Sequence, residues 1–583
     1  MSETTDQQRS WLDDLDRQMR REVRLQRQAT EEIWRTPLAE RVAKGHALGP
    51  LRVVSVSGKR LILQPADDSA AMAECSLREG DFVCLSQDAP HAPTGHFIHG
   101  GEDHAGIHLH LWKGEVPSAG EGWVIDPDFY DLSPRFAEAI EALAMTADGR
   151  DRILPLLMGD TSGSIDPDVY EDAMDELESA DSVAPKWHDS QEEAIACCVA
   201  ALDAHLVQGP PGTGKTRVLV EVARRLIERG ERVLVTGPTH RAIHHALEGI
   251  RRELPATVRV AKIGVAPFSP VTFECHEDYT ESGLLESDAP HVVGATPHAL
   301  WSRFAGLHEA RFDSVLLDEA SQLTPLLAAM AMMRGEHWLF FGDDCQLPPV
   351  VLGDDATPPR LRSVFGRLKG RGFDTLLEET WRLNEPLAEW PSATFYYGRL
   401  TCRHDRRLVF HTPPAHSLLA ADPAACLAVL PGDGCATVRA DEEAQLAVDL
   451  VREAVRCGLD PERIGVITPF RVQAARVRQL LGIDSLSGLR QRVAVDTVER
   501  YQGQERDLII ITTAAADPRF IRLRADFLFQ GERWNVAMTR ARLKTIVISS
   551  EGFVETAESL AEEPHAGASC FVSLIDHLRH HAC

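Results

Sequence analysis

The sequence predicts an α/β protein with two parallel-sheet cores, preceded by a helical segment and a small β-barrel. Short apolar strands alternate with amphipathic helices in the region 186–372 and again in 373–583, which is typical of sheets covered by helices. Short β-type runs separated by glycine and Asp/Pro turns lie between Leu51 and Trp123 and predict the barrel. With 583 residues, the chain is too long for one hydrophobic core.

We divide the chain into six segments. A charged helix is expected over residues 8–34, with a narrow apolar stripe at Trp11, Leu15, Met19 and Val23. A second helix is expected to start with Ser133 as its N-cap and Pro134 as its first helical residue. The expected segments are the N-terminal helix (1–48), the barrel (49–128), the second helix (129–158), an acidic linker (159–185), the first core (186–372) and the second core (373–583).

The first core contains a complete phosphate-loop pattern, G-x-x-x-x-G-K-[ST]. It is formed by Gly209, Pro210, Pro211, Gly212, Thr213, Gly214, Lys215 and Thr216. An apolar strand (204–208) precedes it and an amphipathic helix (217–229) follows, so its backbone N–H groups are expected to cradle phosphate. Lys215 is then expected to reach the β- and γ-phosphates of a nucleotide, and Thr216 to hold Mg²⁺. The alternative is a chance match in a glycine-rich turn, which the flanking strand and helix argue against.

A second apolar strand in this core ends in two carboxylates, Asp318 and Glu319. Beside a phosphate loop, Asp318 is expected to hold Mg²⁺ and Glu319 to orient and deprotonate an attacking water. A third strand, 338–341, is followed by Gln346, our candidate for an amide that senses the γ-phosphate.

The second core repeats the α/β pattern without a phosphate loop. Its expected elements are strands at 464–468, 493–496, 507–512 and 545–549 and a helix at 472–481. Two cores with one phosphate loop predict a nucleotide in the cleft between them, with arginines of the second core neutralising transition-state charge. Arg382 and Arg540 are the candidates, although each could also be an ordinary surface salt-bridge residue.

Composition restricts the class of protein. The net charge of −27 argues against broad adhesion to nucleic acid, but a strand can still bind in a narrow channel. The polar start of the chain does not resemble a signal peptide, and no apolar run is long enough to cross a membrane. The twelve cysteines contain no C-x-x-C pair, which favours reduced cysteines in the cytoplasm. Histidines of the barrel, His104 among them, match no standard zinc pattern.

Taken together, the motifs resemble those of superfamily 1 helicases, in particular the 5′-to-3′ branch that includes the nonsense-mediated-decay helicase and the immunoglobulin-mu-binding helicase. The phosphate loop resembles motif I, the 318–322 segment motif II and the 342–349 segment motif III. Further matches, in order along the chain, lie at 190–195, 235–242, 294–296, 379–383, 395–400, 495–505 and 534–541. The resemblance implies two tandem RecA-like P-loop NTPase cores, with the N-terminal helices as a stalk and the barrel as an accessory domain.

The resemblance also implies roles for single residues. Gln191 would read adenine, Trp381 would stack on it, and Glu505 would approach the ribose or phosphates. Gln346 would couple the γ-phosphate to domain motion, and Arg382 and Arg540 would be arginine fingers. The sugar–phosphate backbone of a single strand would be contacted at Pro238, Thr239, Thr296 and Thr497. Contacts with the sugar–phosphate backbone do not recognise base edges, so little sequence specificity is expected.

The sequence leaves three functions open. The first is an ATP- and Mg²⁺-dependent helicase moving 5′ to 3′ on single-stranded DNA or RNA, monomeric and without a membrane partner. The second is a translocase that remodels nucleoprotein complexes without strong unwinding, which the acidic composition and a short region at 267–290 favour. The third is a nucleotide-gated binding scaffold, which the intact catalytic motifs argue against. Trp381, Thr380 and His240 depart from the family's tyrosine, glutamine and asparagine.

Overall fold

The structure is a computed structural model that describes most of the chain. The described residues are 4–66, 75, 77, 79–103, 105–117, 120–179, 186–267, 270–302, 305–353, 357, 362–420, 422–432, 434–482, 488–563 and 565–580. The chain folds into two compact units. Unit 1 is Met1–Gln208, Lys215–Asp344 and Pro348–Thr375, and unit 2 is Gly209–Gly214, Cys345–Leu347 and Leu376–Cys583. His104 lies outside the described residues.

Unit 1 begins with the expected charged helix, α1 (Asp6–Arg35), and a short helix, α2 (Leu38–Ala43). Thr5 and Gln8 form a capping box, in which each side chain accepts a hydrogen bond from the other's backbone N–H at 3.1 and 3.0 Å. Leu15 of the apolar stripe and its neighbour Leu12 are buried in the core of the unit, and the other stripe residues pack against that core. The stripe therefore fastens this long helix to the rest of unit 1.

The predicted barrel is confirmed as a closed six-stranded barrel in the order β1-β2-β5-β4-β3-β6. Its strands are β1 (Leu48–Ser57), β2 (Arg60–Pro65), β3 (Phe82–Ser86), β4 (Gly95–Asp103), β5 (Gly106–Gly114) and β6 (Glu121–Pro127). The sequence pattern missed β4 and β6. In β4, histidines and glycines interrupt the apolar alternation, and the register with β5 shifts between His99 and Glu102.

Helices connect the barrel to the first large sheet. They are α3 (Ser133–Met145), α4 (Leu154–Met158), α5 (Pro167–Ser179) and α6 (Asp189–Val199), with a π-helical turn over Asp148–Ile153. Ser133 is the first residue of α3, not its N-cap as expected, because its N–H binds the carboxylate of Asp131 at 2.9 Å. The segment expected as an acidic linker instead contains a helix, α5. Asp166 caps the start of this helix, because its carboxylate accepts a hydrogen bond from the N–H of Asp168 at 3.0 Å.

Unit 1 is built on an eight-stranded sheet in the order β10-β9-β11-β8-β12-β13-β7-β14. The strands are β7 (Ala204–Gln208), β8 (Val233–Thr236), β9 (Arg259–Ile263), β10 (Glu274–His276), β11 (His291–Gly294), β12 (Phe312–Leu317), β13 (Gly335–Gly342) and β14 (Asp374–Leu376). The helices are α7 (Lys215–Glu228), α8 (His240–Glu253), α9 (Pro297–Leu300), α10 (Pro325–Met332) and α11 (Val364–Leu368). Because β7 to β13 run parallel, the loops after them meet at one edge of the sheet.

Unit 2 contains a parallel five-stranded sheet in the order β17-β21-β20-β18-β19 and a two-stranded sheet, β15-β16. The strands are β15 (Glu379–Thr380), β16 (Thr401–Cys402), β17 (Ala425–Leu430), β18 (Ile464–Thr468), β19 (Ala494–Thr497), β20 (Arg506–Thr512) and β21 (Ala541–Ser550). The helices are α12 (Glu385–Phe395), α13 (Asp441–Arg456), α14 (Arg471–Leu481), α15 (Leu489–Arg492), α16 (Val498–Tyr501), α17 (Pro518–Leu523), α18 (Ala525–Leu528), α19 (Gly531–Met538), α20 (Glu551–Glu562) and α21 (Ala566–His580).

The strands expected in both α/β regions are confirmed, with ends that differ by a few residues. Within the described part of the chain, no helix combines the length and the apolar character that crossing a membrane requires.

A carboxyl group is buried under the sheet of unit 2. Glu443 on α13 is 1% exposed and accepts hydrogen bonds from the Ala514 N–H at 2.8 Å and the Thr513 hydroxyl at 3.1 Å. Burial raises the pKa of Glu443 to about 7, and these hydrogen bonds offset part of that rise. The charged form therefore costs stability at neutral pH.

We predict that Glu443→Gln removes a pH dependence of folding. A raised folded-state pKa favours the protonated acid. The contribution of Glu443 to the free energy of unfolding is therefore fully present below pH about 4.5 and is lost as pH rises through about 7. The stability of the wild type relative to the variant should fall by roughly 3 kcal/mol across this window, about 1.4 kcal/mol per pKa unit. Calorimetric unfolding from pH 4.5 to 8 measures it. The exposed neighbour, in Glu442→Gln, is the control, and parallel curves for wild type and Glu443→Gln would contradict the prediction.

Candidate active site

The glycines of the phosphate loop have conformations that other residues avoid. Gly212 and Gly214 have φ of +79° and +81°, and the hydroxyl of Thr213 donates to the Pro210 carbonyl at 2.8 Å. Within unit 2, a Cβ on Gly212 would lie 2.4 Å from the Cβ of Arg382. The loop thus needs glycine both for its turn and for close packing.

Lys215, the first residue of α7, lies between the two carboxylates that follow β12. Its Nζ is 2.9 Å from Oδ1 of Asp318 and 2.6 Å from Oε1 of Glu319. Burial opposes the charge on Lys215, but the two carboxylates outweigh burial and raise the pKa of the ammonium. The structure therefore brings together the three residues for which the sequence predicted phosphate binding (Lys215), magnesium binding (Asp318) and deprotonation of water (Glu319).

Glu319 has a strained backbone, with φ of +51° and ψ of 39°. Its N–H donates to Asp318 Oδ1 at 2.9 Å, and the Gln322 amide donates to its Oε2 at 3.3 Å. A left-handed conformation at a residue other than glycine costs about 1–3 kcal/mol and is concentrated at functional sites. Here it turns the carboxylate of Glu319 back toward Lys215.

The oxygen donors of unit 1 fit a magnesium ion. Thr216 follows Lys215 on α7, and Asp318 is 3% exposed at the end of β12. One ammonium facing two carboxylates leaves an excess of negative charge, which suits a divalent cation, and hydroxyl and carboxylate oxygens are the ligands magnesium prefers.

Gln191 is 2% exposed on α6. Its side-chain oxygen accepts from the N–H of His188 at 3.1 Å, as part of a capping box that starts the helix. The structure thus gives Gln191 a role in fixing this helix, and its contact with adenine stays a prediction.

The sequence analysis missed a buried polar network at the ends of β7 and β13. The amide of Gln208 donates to Asp343 at 3.1 Å and to Asp344 at 3.2 Å, and Lys369 binds Asp344 at 2.7 Å. The strand-end position of all three polar residues could have revealed it. The network joins the end of β7, directly before the phosphate loop, to the end of β13 and to Lys369 after α11.

In unit 2, one carboxylate is held between two arginines. Glu505 forms an ion pair with Arg382, and Nε of Arg542 donates to it at 2.9 Å. Burial opposes the charge of Glu505, but Arg382 and Arg542 outweigh it and keep the pKa of Glu505 below its usual range. Burial also lowers the pKa of Arg382, with Glu505 acting in the opposite direction. The sequence analysis missed Arg542, although it lies two residues after Arg540.

Arg540 is held by backbone carbonyl groups. It is 2% exposed, and its guanidinium donates to Val536 at 3.0 Å and to Gln504 at 3.4 Å. These contacts fix the position of the Arg540 guanidinium directly before β21.

Gln346 belongs to a short segment of unit 2, next to a buried amide that the sequence analysis also missed. The amide of Asn535 on α19 donates to the Cys345 carbonyl at 2.8 Å and to the Tyr396 hydroxyl at 2.8 Å. Asn535 therefore ties the residue preceding Gln346 to the helix that ends just before Arg540.

Trp381 presents a partly exposed indole. The guanidinium of Arg403 lies 5.2 Å from the ring centroid, and the ring of His404 hydrogen-bonds the Trp381 carbonyl at 3.0 Å. Its role in stacking on adenine stays a prediction.

Two of the predicted strand contacts lie together in unit 1. Thr239 is the N-cap of α8 and accepts from the Ala242 N–H at 3.2 Å, and Thr296 is the N-cap of α9 and accepts from Ala299 at 3.3 Å. They follow β8 and β11, which are hydrogen-bonded neighbours, and Pro238 precedes Thr239. Thr497 of unit 2 is 6% exposed at the end of β19, so its backbone contact would require a local rearrangement.

Two family models, each described as an AAA domain, match this chain. One covers residues 361–552, and the other covers 186–284 and 277–354. The Regulator of nonsense transcripts 1 homolog of Drosophila melanogaster is 29% identical over 396 residues, covering 59% of this chain and 33% of its own length. By these matches the chain is similar to the superfamily 1 helicases.

Other relatives match similar parts of this chain. A DNA replication ATP-dependent helicase/nuclease of Saccharomyces cerevisiae is 27% identical, covering 63% of this chain and 26% of the relative. DNA-binding protein SMUBP-2 of Mesocricetus auratus is 24% identical, covering 62% and 42%. The chain thus spans less than half of the length of each of these relatives. The helicase nonstructural protein 10 of an arterivirus aligns with a TM-score of 0.39 at 12% identity, covering 90% of this chain and 82% of that one.

We predict that Arg542→Gln slows ATP hydrolysis. Without Arg542, Glu505 retains Arg382 more strongly, so moving Arg382 to a phosphate becomes harder. Exposed ion pairs contribute about 0.2–1 kcal/mol, so kcat should fall roughly 1.4- to 5-fold. Steady-state kinetics measures it, with Arg579→Gln, which breaks the exposed pair of Arg579 with Glu558 in unit 2, as the control. An unchanged kcat, or an equal loss in the control, would show that Arg542 does not act through Arg382.

Proposed function

We propose that this chain is an ATP-dependent nucleic-acid helicase that moves 5′ to 3′ along single-stranded DNA or RNA. The observation that carries the proposal is the contact of Lys215 with Asp318 and Glu319 at the end of a glycine-rich loop. The similarity to superfamily 1 helicases supports the same activity. The direction of movement rests on the resemblance of the motifs to the 5′-to-3′ branch.

Each residue has a defined task in hydrolysis. The loop N–H groups and Lys215 bind the β- and γ-phosphates, which compete with the carboxylates for the ammonium. Thr216 and Asp318 would hold Mg²⁺, which neutralises charge on the phosphate oxygens. Glu319 takes a proton from water as the water's oxygen bonds to the γ-phosphorus and the bond to the β-phosphate oxygen breaks.

The arginines of unit 2 complete the proposed site. In this proposal, the α/β regions 186–372 and 373–583 are tandem RecA-like cores, and one nucleotide uses charged groups of both. Arg382 exchanges Glu505 for a phosphate oxygen, and Arg540 supplies a second fixed cation. Such arginines typically raise the rate by about 10³–10⁵. Gln346, through Cys345 and Asn535, links phosphate release to movement of the second core.

The strand is proposed to run across both cores in a monomeric, cytoplasmic protein. Thr239 and Thr296 support its first half, because both lie at one edge of the sheet in unit 1. A sequence-independent grip on the sugar–phosphate backbone would allow either DNA or RNA.

A second candidate function is translocation without strong unwinding. The net charge of −27 supports it, because an acidic surface repels nucleic acid and binds a duplex only weakly outside the channel.

One set of substrates separates these functions. A duplex with a 5′ overhang, the same duplex with a 3′ overhang, and a single strand carrying bound streptavidin are each incubated with ATP. The helicase separates the 5′-tailed duplex, whereas the translocase releases streptavidin but leaves both duplexes paired. Preference for the 3′ tail would overturn the proposed direction.

We predict that Glu319→Gln binds ATP but loses at least about 10²-fold in kcat, because an amide cannot accept the proton from water. The variant should stay on single-stranded nucleic acid in an ATP-dependent complex, measured by gel shift with and without ATP. Glu281→Gln, a substitution in a short helical turn elsewhere in unit 1, is the control. Turnover at the wild-type rate in Glu319→Gln would contradict the assignment of the base.

A further inference from the structure

A cluster of basic side chains lies beside the proposed strand contacts of unit 1. In register, Val235 of β8, Gly294 of β11, Lys262 of β9 and Cys275 of β10 form one row across the sheet. Lys262 therefore lies two strands from β8, at the same sheet edge as Thr239 and Thr296. His240 and His244 start α8 directly after Thr239, with ring centroids 6.1 Å apart.

Two ring nitrogens in this cluster lack hydrogen-bond partners. Among the described residues, neither Nδ1 of His240 nor Nε2 of His244 has a partner, and both atoms are buried. Buried polar atoms are normally paired, and leaving one unpaired costs about 1–3 kcal/mol. The two atoms therefore point to a ligand with complementary hydrogen-bonding atoms.

Charge favours an anionic ligand. Lys262 is fully buried and its ammonium donates to the Val265 carbonyl, so a cation already occupies this place. No acidic or sulfur ligand joins the two rings in a metal-binding group among the residues that the structure describes. The N-terminus of the 14-residue α8 adds positive potential. A phosphate oxygen satisfies these conditions, whereas a metal cation does not.

The rings are uncharged at neutral pH. Burial, with Lys262, His244 and His298 nearby, lowers the pKa of His240 to about 3. Burial and Lys262 lower the pKa of His244 to about 4, with Glu248 acting in the opposite direction.

Carboxylates and cations face the cluster from other elements. Burial lowers the pKa of Lys262 to about 8, against the effects of Cys275 on β10 and Glu79 before β3. Burial raises the pKa of Glu79, against Arg241 on α8 and Lys262. Glu79 and Glu248 together balance Lys262 and Arg241, so a phosphodiester would add one uncompensated negative charge.

We propose that His240, His244 and Lys262 bind one phosphate of the strand, and that the histidine pair takes up a proton as it does so. This inference rests on the proposed function, because it assigns regulation to the same strand site. The protonated ring donates to a phosphate oxygen and supplies the charge that the phosphate requires. A histidine at position 240, where the family has asparagine, makes strand binding sensitive to pH.

The sign of the effect follows from linkage. Because the complex binds more protons than the free protein, affinity rises as pH falls through the ring pKa of the complex. It stops rising near the free-protein values of about 3 and 4. One linked proton changes the dissociation constant by about tenfold per pH unit within that window.

The test measures binding of a rhodamine-labelled oligothymidylate by fluorescence anisotropy from pH 5.5 to 8.0 at constant ionic strength. The wild-type Kd should decrease at least tenfold toward pH 5.5. The double variant His240→Asn/His244→Asn should lose most of this dependence, whereas His245→Asn, at an exposed position of the same helix, should keep it. Lys262→Met should weaken binding at every pH.

A measurement on the wild type alone guards against misfolded variants. Titration calorimetry at pH 6.0 in two buffers of different ionisation enthalpy gives the protons taken up on binding, which should be positive. Zero uptake, or a Kd independent of pH, would overturn the proton-linked site. A dependence retained in the double variant but lost in Glu79→Gln would place the proton on Glu79 and also overturn it. A wild type that binds no strand at any pH would overturn the proposed function as well.

Discussion

The contact of Lys215 with Asp318 and Glu319 is the interaction on which the proposed activity depends. Two carboxylates this close repel each other unless a cation lies between them. The ammonium supplies that cation, since β7 and β12 end at the same edge of one parallel sheet and the phosphate loop delivers Lys215 to it. Nucleotide and metal would replace this pairing with a stronger set of opposite charges, so binding energy can be used to rearrange the site.

Unit 2 uses the same principle with the signs reversed. Glu505 neutralises Arg382 and Arg542, while backbone carbonyls hold Arg540. Each of these charged groups therefore has a partner within its own unit, although unit 1 keeps an excess of negative charge and unit 2 an excess of positive charge. In the proposed mechanism, ATP supplies the phosphate charge for which Arg382 leaves Glu505, which would make closure depend on the nucleotide. The histidine cluster beside Thr239 would act on the strand in the same way. A phosphate of the strand would accept a hydrogen bond from a protonated ring, so a buried nitrogen that lacks a partner in the free protein would gain a charged one.

Much of this arrangement could be predicted from the sequence. Strands of the α/β regions are continuous apolar runs, and the carboxylates of Asp318 and Glu319 follow one of them. Both the elements and the candidate catalytic groups could therefore be recognised. The barrel strand β4 was missed because its histidines and glycines hide the alternation of buried residues. Long-range partners were also missed: nothing in the local pattern tells that Arg542 shares Glu505 with Arg382, or that Asn535 reaches Cys345. Such contacts depend on packing between distant segments.

The central claim is that hydrolysis at Lys215 and Glu319 is coupled to a strand. The most direct test is ATP hydrolysis by the purified protein with no nucleic acid, with single-stranded DNA and with single-stranded RNA, each at low and moderate salt. We expect strong stimulation by at least one strand, weakening as salt rises because phosphate contacts are electrostatic. Hydrolysis that is equally fast without any strand would contradict the account.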